Sequence, residues 1–454
     1  MSYEHIQAAL REATDTKSVV IGNGVLATVP QVFRDHFREQ PGVVVADENT
    51  FRVGGQEVLS HLLSAGLSMH EPYIFPGRPT LYADSGNIEK LIDSLKTHDA
   101  IPIAVGSGTL NDITKRASYE CERRYMCVAT AASMDGYTAF GAAITKEGYK
   151  QTMTCPAPRA LVADLNVLST APPRMTSSGY ADLLGKVPAG ADWIIADSLK
   201  VELIDRHVWS LVQGPLRHSI GSPAELHVGD EHALDSLIEG LIMSGLAMQA
   251  LQSSRSASGA EHQFSHLWEM EGLGHADEPP LSHGFKVGLG SIAIAALYER
   301  ILERDLSDID VPAICSAWPD WPEVERNVRA AHKTPGLDEA AVIESRAKYI
   351  DAEALRPRLE QLQRHWPDLR QRLYEQLMTA GQLREMLQKA GCPTSPAEIG
   401  LSTEAFKATY YRSRMIRRRY TVLDLATEAG VLGPCVDELF APGGFWARDP
   451  ASKV

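Results

Sequence analysis

The chain is poor in cysteine and has no excess of positive charge. Its six cysteines are scattered over 454 residues without a Cys-x-x-Cys pair, which excludes the common cysteine-based zinc motifs and is typical of a reducing compartment. Lysine and arginine total 44 against 58 aspartates and glutamates, giving a net charge of −14. A surface of that sign argues against nucleic acid or an anionic membrane as the main partner.

Long apolar runs are missing as well. No stretch approaches the ~18 consecutive apolar residues that a membrane span needs. The N-terminal stretch, MSYEHIQAALREATDTK, has the mixed charge of a surface helix and lacks the apolar core of a signal peptide. With 44% hydrophobic and 22% charged residues, the composition is typical of a globular protein with a sizeable core. We therefore expect a soluble cytoplasmic protein without a membrane span.

Short apolar runs alternate with helical patterns in the first part of the chain. The runs are SVVIG (18–22), GVVVAD (42–47), AIPIAVG (100–106), YMCVAT (125–130) and RALVADL (159–165). This alternation predicts a mostly parallel sheet with helices on its faces and ligands bound beyond the carboxyl ends of the strands.

The second part of the chain has a helical pattern throughout. From Thr176 to about Gly433 nearly every stretch reads as helix, and the double proline at 172–173 is a plausible boundary. The sequence therefore predicts an α/β domain at 1–172 followed by an all-helical domain at 173–454.

Two glycine-rich turns follow predicted strands. VIGNGVLA holds Gly22, Gly24 and Ala27 in a partial G-x-G-x-x-A fingerprint, with Asp47 at the end of the next apolar run. Such a lone match is weak, and the turn could be purely structural. Asp47 has two readings, because it can cap a helix or accept the hydroxyl groups of a ribose.

The second turn is AVGSGTLNDITKRA. Gly106 and Gly108 would let the backbone approach a ligand closely, and a helix beginning at Thr109 would direct free N–H groups at a phosphate. The alternative is a plain strand-to-helix turn.

Further on, ATAASMDGYTAFGA is rich in small residues and hydroxyl groups, which suits a loop that lies flat against a cofactor. Its Asp135 could also simply belong to a turn.

The helical part holds three stretches with chemically useful side chains. SGAEHQFSHLWEM places His262 and His266 on one helix face, and Glu261 lies outside the pair, which excludes the H-E-x-x-H zinc-protease motif. Asp182 and Lys186 are also four residues apart, a spacing that usually means a surface ion pair.

His283 follows a Pro-Pro turn at the start of another predicted helix, where a single histidine is more often a cap or a surface residue. Together, however, Asp182, His262 and His283 would be a carboxylate and two imidazoles, the donor set of a catalytic metal with open coordination positions.

These motifs, in this order, resemble a known family. GSGTLNDITK, ATAASMDGYTAFGA, ADLLGKVPAGADW, SGAEHQFSHLWEM and PPLSHGFKVGLG are similar to segments of the sn-glycerol-1-phosphate dehydrogenases, relatives of the iron-type alcohol dehydrogenases, glycerol dehydrogenases and dehydroquinate synthases. The likeness covers residues 15–435. It implies a dehydroquinate synthase-like fold, in which a Rossmann-like domain and a helical domain enclose the metal and the substrate between them.

The resemblance also implies roles for individual residues. Asp182, His262 and His283 would bind one divalent metal (Zn, Ni or Fe), with Asp182 also next to the substrate. His266 and Asp135 would contact the substrate and supply the proton, and Lys186 is a candidate for gripping its phosphate. The residues expected to line the nicotinamide dinucleotide are Asp47, Gly106, Gly108, Thr109, Leu110, Asn111, Asp112, Thr130, Ala131, Ala132 and Ser133.

The expected reaction is reversible reduction of dihydroxyacetone phosphate to sn-glycerol-1-phosphate. NAD is favoured over NADP, because Asp47 would repel a 2′-phosphate. The alternatives are another polyol phosphate, a dehydroquinate synthase-like cyclase, and a binding protein without activity. Asp182 argues against the cyclase, in which a glutamate is expected at this position together with a dense shell of lysine and arginine.

Several positions depart from the family pattern. Ala181 and Ala139 stand where glycine and serine are frequent, and VPAGADW follows Lys186 where a more aromatic stretch is expected. These departures bear on the identity of the substrate more than on the type of reaction.

The segment YRSRMIRRRY carries five arginines in ten residues, which we interpret as a solvated helix face or a subunit contact, not a nucleic-acid site. A homodimer is expected.

Overall fold

The computed structural model describes residues 3–146 and 149–448. Its first part is built on a six-stranded sheet in which every pairing is parallel, and a separate antiparallel hairpin lies beside it. The strands are β1 (Ser18–Gly22), β2 (Gly42–Asp47), β3 (Tyr73–Phe75), β4 (Ile101–Gly106), β5 (Met126–Ala129), β6 (Ala142–Lys146), β7 (Tyr149–Met153) and β8 (Ala160–Asp164).

The spatial order of the sheet is β1–β8–β5–β4–β2–β3. All five strands predicted from apolar runs are present, and β2, β4, β5 and β8 are buried along nearly their whole length. Strand β3 was not predicted, because it has only three residues and lies at the edge of the sheet. The β6–β7 hairpin was not predicted either, because it contains lysines, threonines and a glutamine and therefore lacks an apolar run.

Helices connect the strands of the first part. They are α1 (Glu4–Glu12), α2 (Val29–Phe37), α3 (Glu48–Thr50), which continues through a π-helical turn into α4 (Gln56–Ser64), α5 (Ser85–Leu95), α6 (Gly108–Glu120) and α7 (Leu165–Leu168). Every described element after α7 is helical, as the sequence predicts.

The second part begins with a helix whose first residue is the second proline of the Pro-Pro pair. Its helices are α8 (Pro173–Leu184), α9 (Lys186–Ser198), α10 (Arg206–Ser219), α11 (Pro223–His227), α12 (Glu231–Leu251), α13 (Ala260–Met270), α14 (His283–Leu302), α15 (Val311–Ala317), α16 (Trp321–Ala331), α17 (Leu337–Lys348), α18 (Ala352–Gln376), α19 (Ala380–Lys389), α20 (Thr403–Arg412), α21 (Val422–Glu428) and α22 (Leu432–Phe440).

The two parts share one large hydrophobic core. Ile6 of α1, Ala104 of β4 and Leu241 of α12 all belong to it, and the Tyr3 hydroxyl donates to Asp235 of α12 at 2.6 Å. The predicted division at residue 172 falls between α7 and α8 and stays a prediction, because the N-terminal helix packs on the helical part.

Helix α12 is the one described helix that is long and apolar enough to cross a membrane. Its most apolar stretch has a mean hydropathy of 1.2, and 83% of that stretch is buried inside the protein. It comes closer to the composition of a membrane span than the sequence analysis expected, but its surroundings are those of a core helix.

Candidate active site

A cavity of about 690 Å³ lies at the carboxyl ends of the sheet strands, where they face α8, α13 and α14. Parallel strands direct their carboxyl ends to one edge, which explains why residues far apart in sequence meet there. The predicted site residues that line it are Asp47, Gly108, Thr109, Leu110, Asp112, Thr130, Ala131, Ser133, Asp135, Asp182, His266 and His283.

The N-terminus of α6 forms one wall of the cavity. Gly106 ends β4, and α6 begins at Gly108, one residue before the predicted start. A Cβ on Gly108 would lie 2.7 Å from the Met134 side chain, so the turn packs closely against the next loop. The free N–H groups of a first helical turn favour an anion, and this end of the cavity therefore suits a pyrophosphate.

The turn at Gly22 has a different role. It follows β1, which is an edge strand, and it is not part of the cavity wall. The amides of Gly24 and Leu26 donate to the Asp164 carboxylate on β8 at 3.1 and 2.9 Å. The partial fingerprint therefore corresponds to a structural turn, and the reading in which it contacts a pyrophosphate is not supported.

Asp47 fits both of its readings. Its Oδ1 accepts the backbone N–H groups of Asn49 at 2.8 Å and Thr50 at 2.9 Å, which makes it the N-cap of α3. It also lines the cavity at the end of β2. A carboxylate held in this way is pre-oriented where a ribose would lie in a parallel α/β sheet.

The loop after β5 is held from behind by a buried cation. Lys115 is 1% exposed and donates to the carbonyl oxygens of Gly136, Ala139 and Gly141 at 2.9–3.0 Å. Asn111 points the same way, because it donates to the Gly136 carbonyl and accepts from Tyr125.

Three residues predicted to line the dinucleotide therefore need correction. The side chain of Asn111 is fully buried behind the loop, where it supports the loop without reaching a cofactor. Ala132 is also fully buried. A Cβ on Gly179 of α8 would lie 2.0 Å from the Ala132 carbonyl oxygen, so α8 packs directly on Ala132. Gly106 likewise lies within the buried end of β4 and is not part of the cavity wall.

Three helices bring the predicted metal ligands together. Suitable atoms of Asp182 on α8, His262 on α13 and His283 on α14 lie within 4.8 Å of one another, and His262 Nε2 is 3.4 Å from Asp182 Oδ1. A Cβ on Gly284 would lie 1.9 Å from the Ser178 carbonyl oxygen, so α8 and α14 approach each other closely beside the site.

The two histidines are oriented by carboxylates on their other nitrogen. Nδ1 of His262 is 2.7 Å from Glu261 Oε1, and Nδ1 of His283 is 2.9 Å from Glu269 Oε1. Each imidazole thus has Nε2 available for a cation, the arrangement that metal-binding histidines commonly show. One carboxylate and two oriented imidazoles fit zinc, nickel or iron.

The charge of Asp182 is balanced by Lys186. Burial would raise the pKa of Asp182, but Lys186 and the hydrogen bond from His262 hold it well below its usual range. For His262, burial would lower the pKa, yet Asp182 and Glu261 raise it above its usual value. The cluster is therefore built to keep Asp182 ionised, as a metal ligand must be.

The structure corrects the prediction that Lys186 grips a substrate phosphate. Lys186 is fully buried and is not part of the cavity wall. Its Nζ lies 2.8 Å from Asp182 Oδ1 and 2.9 Å from Asp135 Oδ2, and the same Asp135 oxygen accepts from Ser244 at 2.8 Å. The i,i+4 pair is therefore part of a buried bridge between two carboxylates and not a surface pair.

A second pair of buried carboxyl groups lies behind His262. Asp192 accepts from Tyr298, Val422 and Ala260 at 2.6–2.8 Å, and burial together with Glu261 raises its pKa to about 7. Glu261 Oε2 is buried without a hydrogen-bond partner. A Cβ on Gly259 would lie within 2.8 Å of both Asp192 Oδ2 and Glu261 Oε2, so the two carboxyl groups lie close together beside Gly259, and the negative charge of Glu261 favours the protonated form of Asp192.

This pair leads to a prediction for the pH dependence of stability. The pKa of Asp192 is raised above the unfolded value of 3.8 to about 7, so the folded protein holds a proton that the unfolded chain releases. Its contribution is complete below the unfolded pKa and is lost as the pH rises through 7. Relative to Asp192→Asn, the wild type should lose free energy of unfolding between pH 4.5 and 7.5. Denaturant unfolding of both proteins at the two pH values measures this, and parallel pH profiles would contradict it.

The face of α13 that carries the histidines also carries a carboxylate, Glu269, that was not predicted as a site residue. His266 and Glu269 both line the cavity, and they follow His262 by four and seven residues. Burial and the nearby Arg417 keep the pKa of His266 well below its usual value. The Arg417 guanidinium lies 3.4 Å from His266 Nδ1. The heptad spacing could have pointed to Glu269, whereas nothing local links Arg417 to this site.

Two cations that the sequence analysis did not propose for the phosphate line the cavity. They are Arg174 on α8 and Lys286 on α14, and no other lysine or arginine of the described residues belongs to the wall. Lys286 stands one helical turn after His283, so its position could have been inferred from the helix period.

The comparisons with known proteins agree with this geometry. Residues 20–172 match the family model for iron-containing alcohol dehydrogenase. Several relatives carry the name glycerol-1-phosphate dehydrogenase, NAD(P)+, and three of them illustrate the similarity. That of Halalkalibacterium halodurans is 37% identical over 57% of this chain and 64% of its own length. That of Bacillus velezensis is 29% identical over 94% of this chain and 95% of its own length. That of Pyrococcus abyssi is 30% identical over 65% of this chain and 83% of its own length. The chain belongs to the glycerol-1-phosphate dehydrogenase family.

Solved structures support the fold of this family member. A probable glycerol dehydrogenase from Sinorhizobium meliloti superposes with a TM-score of 0.59 over 93% of this chain and 96% of that one, at 14% identity. The glycerol dehydrogenase of Schizosaccharomyces pombe superposes with a TM-score of 0.58 over 94% of this chain and 91% of that one, at 15% identity. At these identities the likeness establishes the shared architecture of a parallel-sheet domain and a helical domain.

Proposed function

We propose that this family member reversibly reduces dihydroxyacetone phosphate to sn-glycerol-1-phosphate with NAD(P)H at a divalent-metal centre held by Asp182, His262 and His283. The observation that carries the proposal is that Asp182 and His283, together with the N-terminus of α6, line one cavity, and that the buried His262 lies next to Asp182. A metal and a dinucleotide phosphate would then bind on either side of the space left for a small substrate. The names of the relatives supply the substrate.

The dinucleotide would lie along the carboxyl edge of the sheet. The N-terminus of α6 would bind its pyrophosphate, and the loop that begins at Thr130 would lie against it. Asp47 would accept the ribose hydroxyls at the end of β2. A carboxylate there repels a 2′-phosphate, so the chain should prefer NAD to NADP.

The residues around the metal would orient the substrate. When bound, the metal supplies Lewis-acid polarisation of the carbonyl group and the nicotinamide supplies the hydride. Arg417 beside Nδ1 of His266 favours the neutral tautomer with the proton on Nε2, so His266 can donate a hydrogen bond to the substrate oxygen, and the proton that this oxygen takes up would come from solvent through a water molecule. Asp135, which accepts from Lys186 and Ser244, is suited to accept a hydrogen bond from a substrate hydroxyl.

The cations of the cavity favour a small substrate with one phosphate. Arg174 and Lys286 are its lysine and arginine residues among those described. A cyclase acting on a seven-carbon phosphate must bind a carboxylate, several hydroxyls and a leaving phosphate, which calls for a denser cationic shell. The cyclase reaction on its seven-carbon phosphate and the oxidation or reduction of another polyol phosphate are therefore the competing activities to include in a test.

The proposal is tested with a panel of ketose and polyol phosphates, with NADH and NADPH, before and after metal removal. We expect NADH oxidation with dihydroxyacetone phosphate, loss of activity with EDTA, and recovery with Zn²⁺ or Ni²⁺. The product should not be a substrate for an sn-3-specific glycerol-phosphate dehydrogenase. Full activity after verified metal removal, or phosphate release from the dehydroquinate precursor without net NADH consumption, would overturn the proposal.

A variant of Lys286 tests the phosphate contact. Lys286→Ala should raise KM for dihydroxyacetone phosphate about 10- to 100-fold and leave KM for NADH nearly unchanged, since a hydrogen bond to a charged group contributes ~1.5–3 kcal/mol. Lys389→Ala, an exposed lysine that pairs with Glu385, is the matched control. Equal KM values in the two variants would assign the phosphate to another residue.

Three further expectations remain predictions. The identity of the metal, a homodimeric assembly and a cytoplasmic location each need a direct measurement. Metal analysis of the purified protein and sedimentation equilibrium would test the first two.

A further inference from the structure

Two sets of potential metal ligands meet at His283. One is Asp182, His262 and His283, and the other is His266, Glu269 and His283, with the ligand atoms of each set within 4.8 Å of one another. We propose that His266, Glu269 and His283 form a second, outer site for a divalent cation such as Zn²⁺, and that filling it inhibits the enzyme. The inhibition rests on the proposed function, whereas the binding of the cation does not.

The outer set is built by one helix face and one helix start. His266 and Glu269 lie on the same face of α13, and His283 is the first residue of α14. The ring centroids of His266 and His283 are 5.8 Å apart, with an angle of 21° between the ring planes. Glu269 Oε1 is 2.9 Å from His283 Nδ1, close to the ~3.3 Å that separates two ligands of a tetrahedral zinc with bonds of ~2.0–2.1 Å.

One imidazole can serve both sets through different nitrogens. Nδ1 of His283 faces Glu269 and the Ser265 hydroxyl, which lies 3.2 Å away, so the inner set would use Nε2. An outer cation would replace the Nδ1 proton, which passes to solvent. Two imidazoles and one carboxylate favour zinc over magnesium, which prefers oxygen ligands.

The two sites differ in their access to solvent. Asp182 and His262 of the inner set are buried, whereas His266 and His283 are half-buried. All three outer residues line the cavity, although the Glu269 side chain is only 4% exposed. The outer cation should therefore exchange more readily. It would also occupy the space in which His266 meets the substrate, so inhibition by excess Zn²⁺ should be relieved by substrate.

The test is a Zn²⁺ titration of the metal-stripped, full-length protein without substrate. Calorimetry against a competing chelator should show two tight equivalents for the wild type and one for Glu269→Gln. Glu271→Gln is the matched control, because Glu271 follows α13 directly and contacts Arg412 outside the cavity. That control should retain both equivalents. Circular dichroism confirms folding, and His266→Gln is the second variant should Glu269→Gln unfold.

Activity provides a separate readout. NADH oxidation by the wild type should rise with the first equivalent of Zn²⁺ and fall at least tenfold as the second binds. A single equivalent in the wild type, or two equivalents retained in both Glu269→Gln and His266→Gln, would overturn the outer site. Because stoichiometry is measured without substrate, two equivalents without any dehydrogenase activity would refute the proposed function alone.

Discussion

Replacing His262 with glutamine should lower kcat by ~10³-fold or more, because the Lewis-acid contribution of a bound metal is worth several kcal/mol. The His262 side chain is buried and its Nδ1 is held by Glu261. The shorter glutamine side chain therefore cannot place a nitrogen ligand where Nε2 of His262 lies. With one equivalent of Zn²⁺ supplied, the variant should also retain little metal. Glutamine keeps a polar group toward Glu261 and limits the loss of stability.

His266→Gln is the matched partner of that variant. It changes the same residue type on the same helix face, one turn away. It should keep one equivalent of metal and lower kcat/KM by ~10²-fold or more, since His266 acts on the substrate. Metal content and activity measured together separate the two roles. Equal metal loss in both variants would show that the assignment of the pair is wrong.

The largest loss of stability is expected from Lys186→Met, at about 3–5 kcal/mol in the free energy of unfolding of the metal-free protein. Methionine keeps the length of the side chain but removes the cation that lies 2.8 Å from Asp182 and 2.9 Å from Asp135. Asp182 is fully buried, so in a low-dielectric environment its charge would lose the lysine cation that balances it and keep the weaker contacts with His262 and the Asp135 amide. Denaturant unfolding measures the effect.

A double variant distinguishes charge from packing. Adding Asp135→Asn to Lys186→Met removes one of the two carboxylates that have lost the lysine cation, and should recover part of the lost free energy of unfolding. A double-mutant cycle measures the coupling energy between the two positions. Lys389→Met, on the surface of α19, should change stability by less than ~0.5 kcal/mol. A Lys186→Met protein as stable as that control would show that the bridge contributes nothing to folding.

Periodic patterns predicted the secondary structure well where burial was complete. The runs of β2, β4, β5 and β8 are apolar because both faces of these strands are covered, so their sequences report their positions directly. The edge strand β3 has only three residues, and the β6–β7 hairpin carries mixed side chains. Only their pairing partners identify them as strands.

Local spacing was a weaker guide to the role of a side chain. The separation of four residues between Asp182 and Lys186 predicts the contact between them correctly, but it does not tell whether the pair faces solvent or core. The contact with Asp135, which comes from the sheet domain, makes Lys186 a buried bridge. In the same way, Asn111 lies within a glycine-rich motif but faces the inside of its loop.

The sequence by itself determined the parallel-sheet and helical parts, the helix face that carries His262 and His266, and the glycine-rich start of α6. These features depend on the fixed periods of helix and strand and on residues close in the chain. The tertiary structure alone decided which charges meet. Asp192 joins Glu261, Arg417 reaches His266, and His283 stands between two ligand sets, because the close approach of α8 to α14 and the packing of distant segments on α13 set these distances, and no local period encodes them.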